Sequence, residues 1–274
     1  MGESDSILLP IELLAAFLLS VWCAGRFLDR RHFADFGFRL SPSWWGDLGF
    51  GLVLGALLMT AIFLIELVTG WVTITETFKS DTNGITFPID ILWALVTFIC
   101  VGIYEELLGR GYQLKNLAEG LNFKFFSSKG AIVLAALDTS ALFGLLHALN
   151  PNASLISTLN LMLAGLLYST AYLLTGELAV PIGYHITWNF FESSVFGFPL
   201  SGMDLGTTFI DIRQSGPRLW TGGAFGPEAG LVGTGARLVG ILFIIGWVRL
   251  RYGKITLHEE LTTPDLLVRK HEQA

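Results

Sequence analysis

The chain has 274 residues, of which 52% are hydrophobic and only 15% are charged, and its mean hydropathy is +0.60. Soluble domains carry about 25% charged residues, so this composition indicates an integral membrane protein and excludes an ordinary soluble enzyme. The Lys and Arg residues lie in short clusters beside apolar runs. They form no continuous basic face of the kind that binds a phosphate backbone, and we therefore expect no nucleic-acid partner.

The first apolar stretch is predicted to be a retained membrane span. Glu3 and Asp5 precede it, and no Lys or Arg occurs before Arg26. A secretory signal peptide has its positive charge ahead of the apolar core, whereas here the positive charge follows it.

Seven apolar stretches approach the length of about 20 residues that an α-helix needs to cross a bilayer. They are Ile7–Arg26, Leu48–Val68, Pro88–Leu108, Ala131–Leu149, Leu155–Leu174, Leu178–Phe196 and Leu231–Val248. The chain is therefore predicted to be all-α, a polytopic transmembrane helical bundle of about seven spans within residues 1–252. We expect residues 253–274 to form a polar, loosely ordered cytoplasmic tail.

Basic residues follow the first, third and last of these spans, in Arg26–Arg39, Arg110–Lys129 and Arg249–Lys254. The positive-inside rule places all three clusters in the cytoplasm, which puts the N-terminus outside and the C-terminus inside. The loops Thr69–Phe87 and Gly197–Gly230 are then outside. The second loop is rich in glycine but lacks the Gly-Lys-Ser/Thr ending of a phosphate loop, and a turn-rich loop is favoured over a mobile lid.

Polar residues within the apolar stretches are candidates for function. They are Glu105, Glu106, Arg110, His147, His185 and Asn189. Ionisable groups at that depth cost about 2.5 to 3.5 kcal/mol each on insertion scales, so they are rare and usually functional. A lone histidine or a lone ion cluster in a span is more often structural. Two histidines together with adjacent carboxylates favour a single site inside the bundle.

Helical spacing suggests a division of roles. Glu106 and Arg110 are four residues apart and share a face, where they can pair, whereas Glu105 points about 100° away and is free to act. His185, Asn189 and Glu192 form a narrow polar stripe on one helix. Such a stripe must face a cavity or other helices, because in lipid its polar groups would lack hydrogen-bond partners.

Depth in the membrane presents a difficulty for this site. On the predicted topology, Glu105 lies near the inner end of its span, while His147 lies far along a span that begins inside. The two residues meet only if the helices are tilted, broken or begin late.

The residue types fit two kinds of hydrolytic chemistry. A carboxylate beside histidines in a partly dry cavity suits activation of water, with Glu as the general base. Histidine and carboxylate side chains also hold divalent metals in open catalytic sites. The motifs of other intramembrane proteases are missing: the sequence has no His-Glu-x-x-His and no Gly-x-Gly-Asp, and Ser201 lies in a loop without a Gly-x-Ser context.

Three motifs together resemble the CAAX protease and bacteriocin-processing family of intramembrane proteases, also called abortive-infection-like. The family motifs Glu-Glu-x-x-x-Arg, Phe-x-x-x-His and His-x-x-x-Asn are matched by Glu105, Glu106 and Arg110, by Phe143 and His147, and by His185 and Asn189. The resemblance covers about Pro88–Glu192, within a predicted protease core at 88–196. Each motif is weak alone, but three in order on hydrophobic helices are specific.

This resemblance implies an intramembrane endopeptidase of the bacterial cytoplasmic membrane that acts on a peptide or membrane-protein substrate. By family analogy, Glu105 activates water with help from His147, and His185 and Asn189 stabilise the oxyanion. Glu106 and Arg110 complete the catalytic set. A divalent metal such as Zn²⁺, held by Glu105, His147 and His185, and a metal-free glutamate mechanism are both described for the family, and both stay open. Eukaryotic members process prenylated CAAX proteins.

Two other functions are consistent with the same span pattern. A non-catalytic membrane scaffold or bacteriocin-immunity-like protein of the same family would keep the fold without the chemistry. A small-solute transporter would use the charges as a proton relay. Transporters usually contain paired, Gly- or Pro-broken repeats, and this sequence shows no such pairing.

Overall fold

The computed structural model describes residues 8–82, 84–125, 127–264 and 266. Their α-helices are α1 (Leu9–Cys23), α2 (Pro42–Val68), α3 (Phe87–Glu106), α4 (Lys115–Leu121), α5 (Ser128–Leu146), α6 (Leu155–Thr175), α7 (Ala179–Asn189), α8 (Arg218–Thr221) and α9 (Leu231–Tyr252). Segments of π-helix follow three of them, at Ala24–Leu28, Leu107–Leu114 and Phe190–Val195. Short 3₁₀ turns occur at Phe33–Phe36, Gly223–Phe225, Pro227–Ala229 and Glu259–Thr262. The predicted all-α bundle is confirmed.

Within the described residues, six helices are long and apolar enough to cross a membrane. They are Leu9–Leu28, Pro42–Val68, Phe87–Leu121, Ser128–Leu146, Leu155–Thr175 and Leu231–Tyr252. The remaining predicted span, Leu178–Phe196, becomes α7 with 11 residues and its π-helical continuation with 6. This helix is shorter than the others and buried along most of its length. The count is therefore six to seven spans, with α7 in the interior.

Local sequence signals explain where the helices begin and end. Ser41 accepts a hydrogen bond from the Trp44 backbone N–H, and Pro42 follows it at the first helical position of α2. Ser154 and Ser157 form a reciprocal capping box at the start of α6. At the other end of α6, Gly176 has φ 71°, the left-handed conformation that glycine adopts without strain.

Glycines bring α2 and α7 into backbone contact. A Cβ atom on Gly183 would lie 2.4 Å from the Leu48 carbonyl oxygen, and one on Gly51 would lie 2.4 Å from the Val180 carbonyl oxygen. Small residues allow helices to approach closely in membranes. This contact fixes α7 two residues before His185.

The loops divide between the two ends of the bundle. At one end, the three basic clusters meet acidic residues in the pairs Arg31–Glu119, Lys115–Asp35 and Arg251–Asp47. At the other end, β1 (Val72–Lys79) pairs antiparallel with β2 (Thr208–Gln214), a small sheet that the sequence reading did not predict. This grouping matches the charge pattern, while the side of the membrane that each end faces stays a prediction.

The part of the tail that the structure describes is folded, which corrects the expectation of a loosely ordered segment. The His258 backbone N–H donates to the Leu173 carbonyl, and Leu261 is buried in the core near α4 and α5. Leu257 and Leu261 are four residues apart and anchor the segment through their apolar side chains. Residues 265 and 267–274 of the predicted tail, and residues 1–7 with the N-terminus, lie outside the described residues.

Candidate active site

The depth difficulty is resolved by the lengths of two helices. α3 continues through its π-helical segment into α4 as one run, Phe87–Leu121, well beyond the predicted end at Leu108. Glu105 precedes Leu121 by 16 residues, and His147 follows Ser128 by 19. At 1.5 Å per residue, the two lie about 24 Å and about 28 Å from the turn that joins these helices. Glu105 and His147 therefore reach a similar depth.

A cavity of about 510 Å³ lies inside the bundle at this depth. Its lining includes five of the six predicted site residues: Glu105, Arg110, His147, His185 and Asn189. The sixth, Glu106, is fully buried behind the wall of the cavity. Three separate sequence motifs thus meet around one space.

Glu106 connects two of these motifs. Its Oε1 atom lies 2.9 Å from Nδ1 of His185 and 3.3 Å from Nη1 of Arg110. Arg110 also donates through Nη2 to the Gly165 carbonyl on α6. Because a carboxylate accepts, the Nδ1 atom of His185 carries the proton, and Nε2 is left on the Glu105 side.

Glu105 is held differently from its neighbour. About 27% of its side chain is exposed, and its Oε2 atom lies 3.9 Å from Nε2 of His185, which is longer than a hydrogen bond. The carboxylate faces the cavity without a close partner among the described residues. The division of roles between Glu105 and Glu106 stays a prediction.

The remaining predicted residues lie at helix ends. His147 directly follows α5, and its Nδ1 atom lies 2.7 Å from the Phe143 carbonyl oxygen. That oxygen only accepts, so Nδ1 is the donor and Nε2 keeps its lone pair. Asn189 is the last residue of α7 and is largely buried at the cavity. Beyond Asn189 the helix is π-helical, so the α-helical spacing of the predicted stripe ends there. The Glu192 carboxylate lies against Gly226 and does not line the cavity.

Tyr168 on α6 is a site residue that the sequence reading missed. Its ring stacks on His185, with centroids 4.9 Å apart and planes inclined by 14°. The guanidinium carbon of Arg110 lies 5.0 Å from the Tyr168 ring centroid and 4.8 Å from that of Phe143. A tyrosine in an apolar span gives no signal of such a role, because aromatic residues are common in membrane helices.

The loop Gly197–Gly230 forms one wall of the cavity through Leu200, Ser201, Met203, Leu205 and Glu228. Glu228 accepts hydrogen bonds from the Ser201 backbone N–H and hydroxyl, and from Arg237 on α9 at 3.1 Å. Arg237 is almost fully buried within a predicted span. An ionisable group in a membrane span is costly, and this holds for Arg237 as it does for Glu105. Arg237 could therefore have been identified from the sequence as a candidate functional residue.

The candidate ligand side chains do not form a preorganised metal site. Among the residues that the structure describes, no three His, Cys, Asp or Glu side chains are gathered in a way that would hold a metal ion. Glu105, His147 and His185 share the cavity but are not arranged as a ligand set. We therefore derive no chemical step through a metal.

Part of the chain matches a known protein family. The model of the family described as type II CAAX prenyl endopeptidase, Rce1-like, matches residues 87–191. Residues 87–191 are therefore similar to the Rce1-like family, in agreement with the resemblance of the sequence motifs. This Rce1-like segment contains all six predicted site residues, and the family resemblance is confirmed at the level of a CAAX-type intramembrane protease. No curated protein and no solved structure matches the chain significantly.

Proposed function

We propose that this chain is an intramembrane endopeptidase that hydrolyses a peptide bond with water activated by Glu105. The observation that carries the proposal is the meeting of Glu105, His147, His185 and Asn189 around one cavity. The Glu105 carboxylate is partly exposed and makes no hydrogen bond shorter than its 3.9 Å contact with His185 among the described residues. The similarity of residues 87–191 to the Rce1-like family supports the same activity.

The first step is attack by water. A water molecule in the cavity donates a proton to the Glu105 carboxylate while its oxygen attacks the carbonyl carbon of the substrate. His147 assists by accepting a hydrogen bond from this water through Nε2, since Nδ1 is held by the Phe143 carbonyl. A positioned general base contributes about 10²- to 10⁴-fold to the rate.

The oxyanion that forms needs hydrogen-bond donors. The Asn189 amide donates to it, and a doubly protonated His185 donates its Nε2–H while Nδ1–H stays on Glu106. Glu106 and Arg110 keep this histidine in place and do not touch the substrate.

The lining of the cavity supports an apolar substrate segment. Phe98 and Val101 on α3 and Leu142 on α5 contribute side chains beside the polar group. A peptide or membrane-protein segment, including a prenylated CAAX sequence, fits this environment. We place the enzyme in the bacterial cytoplasmic membrane, with its N-terminus outside and the basic end of the bundle and the C-terminus inside.

The test is cleavage by purified protein in detergent against a peptide library that includes prenylated CAAX peptides. Glu105→Gln should lower the cleavage rate by about 10²- to 10⁴-fold, whereas Glu76→Gln on exposed strand β1 removes the same charge and should not. Full activity of Glu105→Gln would contradict the mechanism. A folded wild type that cleaves no peptide, with a cellular phenotype that survives Glu105→Ala and His147→Ala at normal protein levels, would favour the scaffold function.

A further inference from the structure

A second cavity, of about 300 Å³, lies at the foot of α1, at the basic end of the bundle. It shares no lining residue with the candidate active site. Its polar lining residues are basic, and the carboxylates of Glu119 and Asp35 pair with Arg31 and do not line the cavity. The lining residues used below are Trp22, Arg26, Arg31, His32 and Phe36. The cavity is outside the Rce1-like segment.

Arg31 supplies a buried donor to this cavity. About 3% of its side chain is exposed, and its two terminal nitrogens are held by Glu119 and Asp35. Its Nε–H has no hydrogen-bond acceptor among the described residues. A buried donor without an acceptor costs about 1 to 3 kcal/mol, so this group is suited to a ligand that brings an acceptor.

Arg26 supplies an available positive charge. It is exposed, and none of the ion pairs in the described part of the chain includes it. His32, also exposed, borders the same space. Asp29 lies between these residues in sequence but does not line the cavity. Arg26 is therefore the lining charge that no ion pair among the described residues compensates, whereas the charge of Arg31 is balanced by Glu119 and Asp35.

The cavity lies beside the exposed end of a predicted membrane span. Only 11% of the apolar window of α1 is buried in the bundle, and Trp22, Phe27 and Leu28 are exposed. Tryptophan is typical of the membrane–water boundary. The π-helical segment Ala24–Leu28 widens the helix at this level.

Gly25 brings the other wall close. A Cβ atom at this position would lie 2.6 Å from the Phe36 ring, so glycine is required for the contact that closes the cavity. The guanidinium carbon of Arg31 lies 5.6 Å from the centroid of the same ring. The aromatic ring of Phe36 and the guanidinium group of Arg31 thus lie side by side in the lining of the cavity.

We propose that this cavity binds the phosphate of an anionic phospholipid headgroup. Guanidinium groups bind phosphate oxygens through charge-assisted hydrogen bonds, and Arg26 with the Arg31 Nε–H offers two such groups. The aromatic rim accommodates the glycerol and the first methylene groups, which a free phosphate ion lacks. Basic pockets beside membrane helices are suited to anionic lipid heads. The proposal is independent of proteolysis.

The test uses the full chain, stripped of lipid in a neutral detergent. Binding is counted by native mass spectrometry and followed by Tm, with phosphatidylglycerol, phosphatidylcholine or sn-glycerol 1-phosphate added. We expect phosphatidylglycerol to bind and to raise the Tm, and the other two to do neither at equal concentration. Arg26→Gln should weaken phosphatidylglycerol binding by about fivefold.

Arg30→Gln is the matched control. Arg30 is exposed on the same segment, carries the same charge and does not line the cavity. Equal losses from Arg26→Gln and Arg30→Gln, or no loss from Arg26→Gln, would overturn the proposal in favour of general surface attraction. Equal binding of phosphatidylcholine would do the same. Binding of glycerol phosphate as tight as that of the lipid would assign the cavity to a free phosphate group and contradict the lipid.

Discussion

Glu106 binds His185 across two helices, with 2.9 Å between the carboxylate Oε1 and the imidazole Nδ1. The same oxygen also accepts from Arg110, so one fully buried carboxylate joins the first and third sequence motifs. This relationship directs Nε2 of His185 towards Glu105, whose Oε2 atom lies 3.9 Å away at the cavity.

Glu106→Gln should therefore impair both folding stability and activity. The change leaves the buried Arg110 without its counter-charge, and breaking a buried ion pair costs about 3 to 5 kcal/mol. Thermal unfolding in detergent and cleavage assays measure the two effects. Glu105→Gln is the comparison, because it should lower the cleavage rate by about 10²- to 10⁴-fold at nearly unchanged Tm. Equal stability of the two variants would contradict the structural role of Glu106.

Tyr168 should act through the face of its ring. Tyr168→Phe keeps the stacking on His185 and the contact with Arg110, and we expect near-normal cleavage. Tyr168→Leu removes both contacts, and we expect about a tenfold lower rate, because small displacements of a catalytic group have large effects on rate. If Phe is as damaging as Leu, the hydroxyl is the important group and the positioning role is wrong.

The α2–α7 contact should control the position of His185. Gly183→Ala introduces a methyl group 2.4 Å from the Leu48 carbonyl, which forces the helices apart. We expect a destabilisation of about 1 to 3 kcal/mol and a loss of activity of up to about 100-fold. Gly49→Ala is the control on α2, where an added Cβ meets nothing within 4 Å. Comparable losses from both variants would argue against a specific helix contact.

Chelation tests the role of a metal. Since Glu105, His147 and His185 are not gathered as a ligand set, we expect cleavage to persist after treatment with a zinc chelator. Zinc content, measured before and after, should not track activity. Stoichiometric zinc whose removal abolishes cleavage and whose return restores it would contradict this expectation.

The sequence predicted the fold class and the identity of the polar residues at the cavity, because charges in apolar helices are costly and therefore visible. It predicted their depth less well, since composition alone does not show that α3 continues through a π-helical segment to Leu121. The sheet of β1 and β2 was missed because each strand lies alone in a loop, and the pairing is between distant residues.

Two buried ionisable residues in predicted spans were not identified from the sequence. Arg237 and Glu66 lie in predicted spans and are both buried, yet only the motif residues attracted attention. Their partners, Glu228 and Gln214, come from the loop Gly197–Gly230, so the contacts depend on tertiary structure. Tyr168 could not have been identified at all, because its role depends on which ring it stacks against.

The central claim is that Glu105 and His147 act on the same water molecule, and a double-mutant cycle tests it most directly. The measurement is kcat/KM for the wild type, Glu105→Gln, His147→Gln and the double variant. The His147 side chain makes its one described hydrogen bond within its own helical turn, so its replacement should leave the fold intact. Residues that act as a unit are non-additive, and we expect the double variant to be no slower than Glu105→Gln alone. Losses that multiply, or cleavage that persists without Glu105, would contradict the claim.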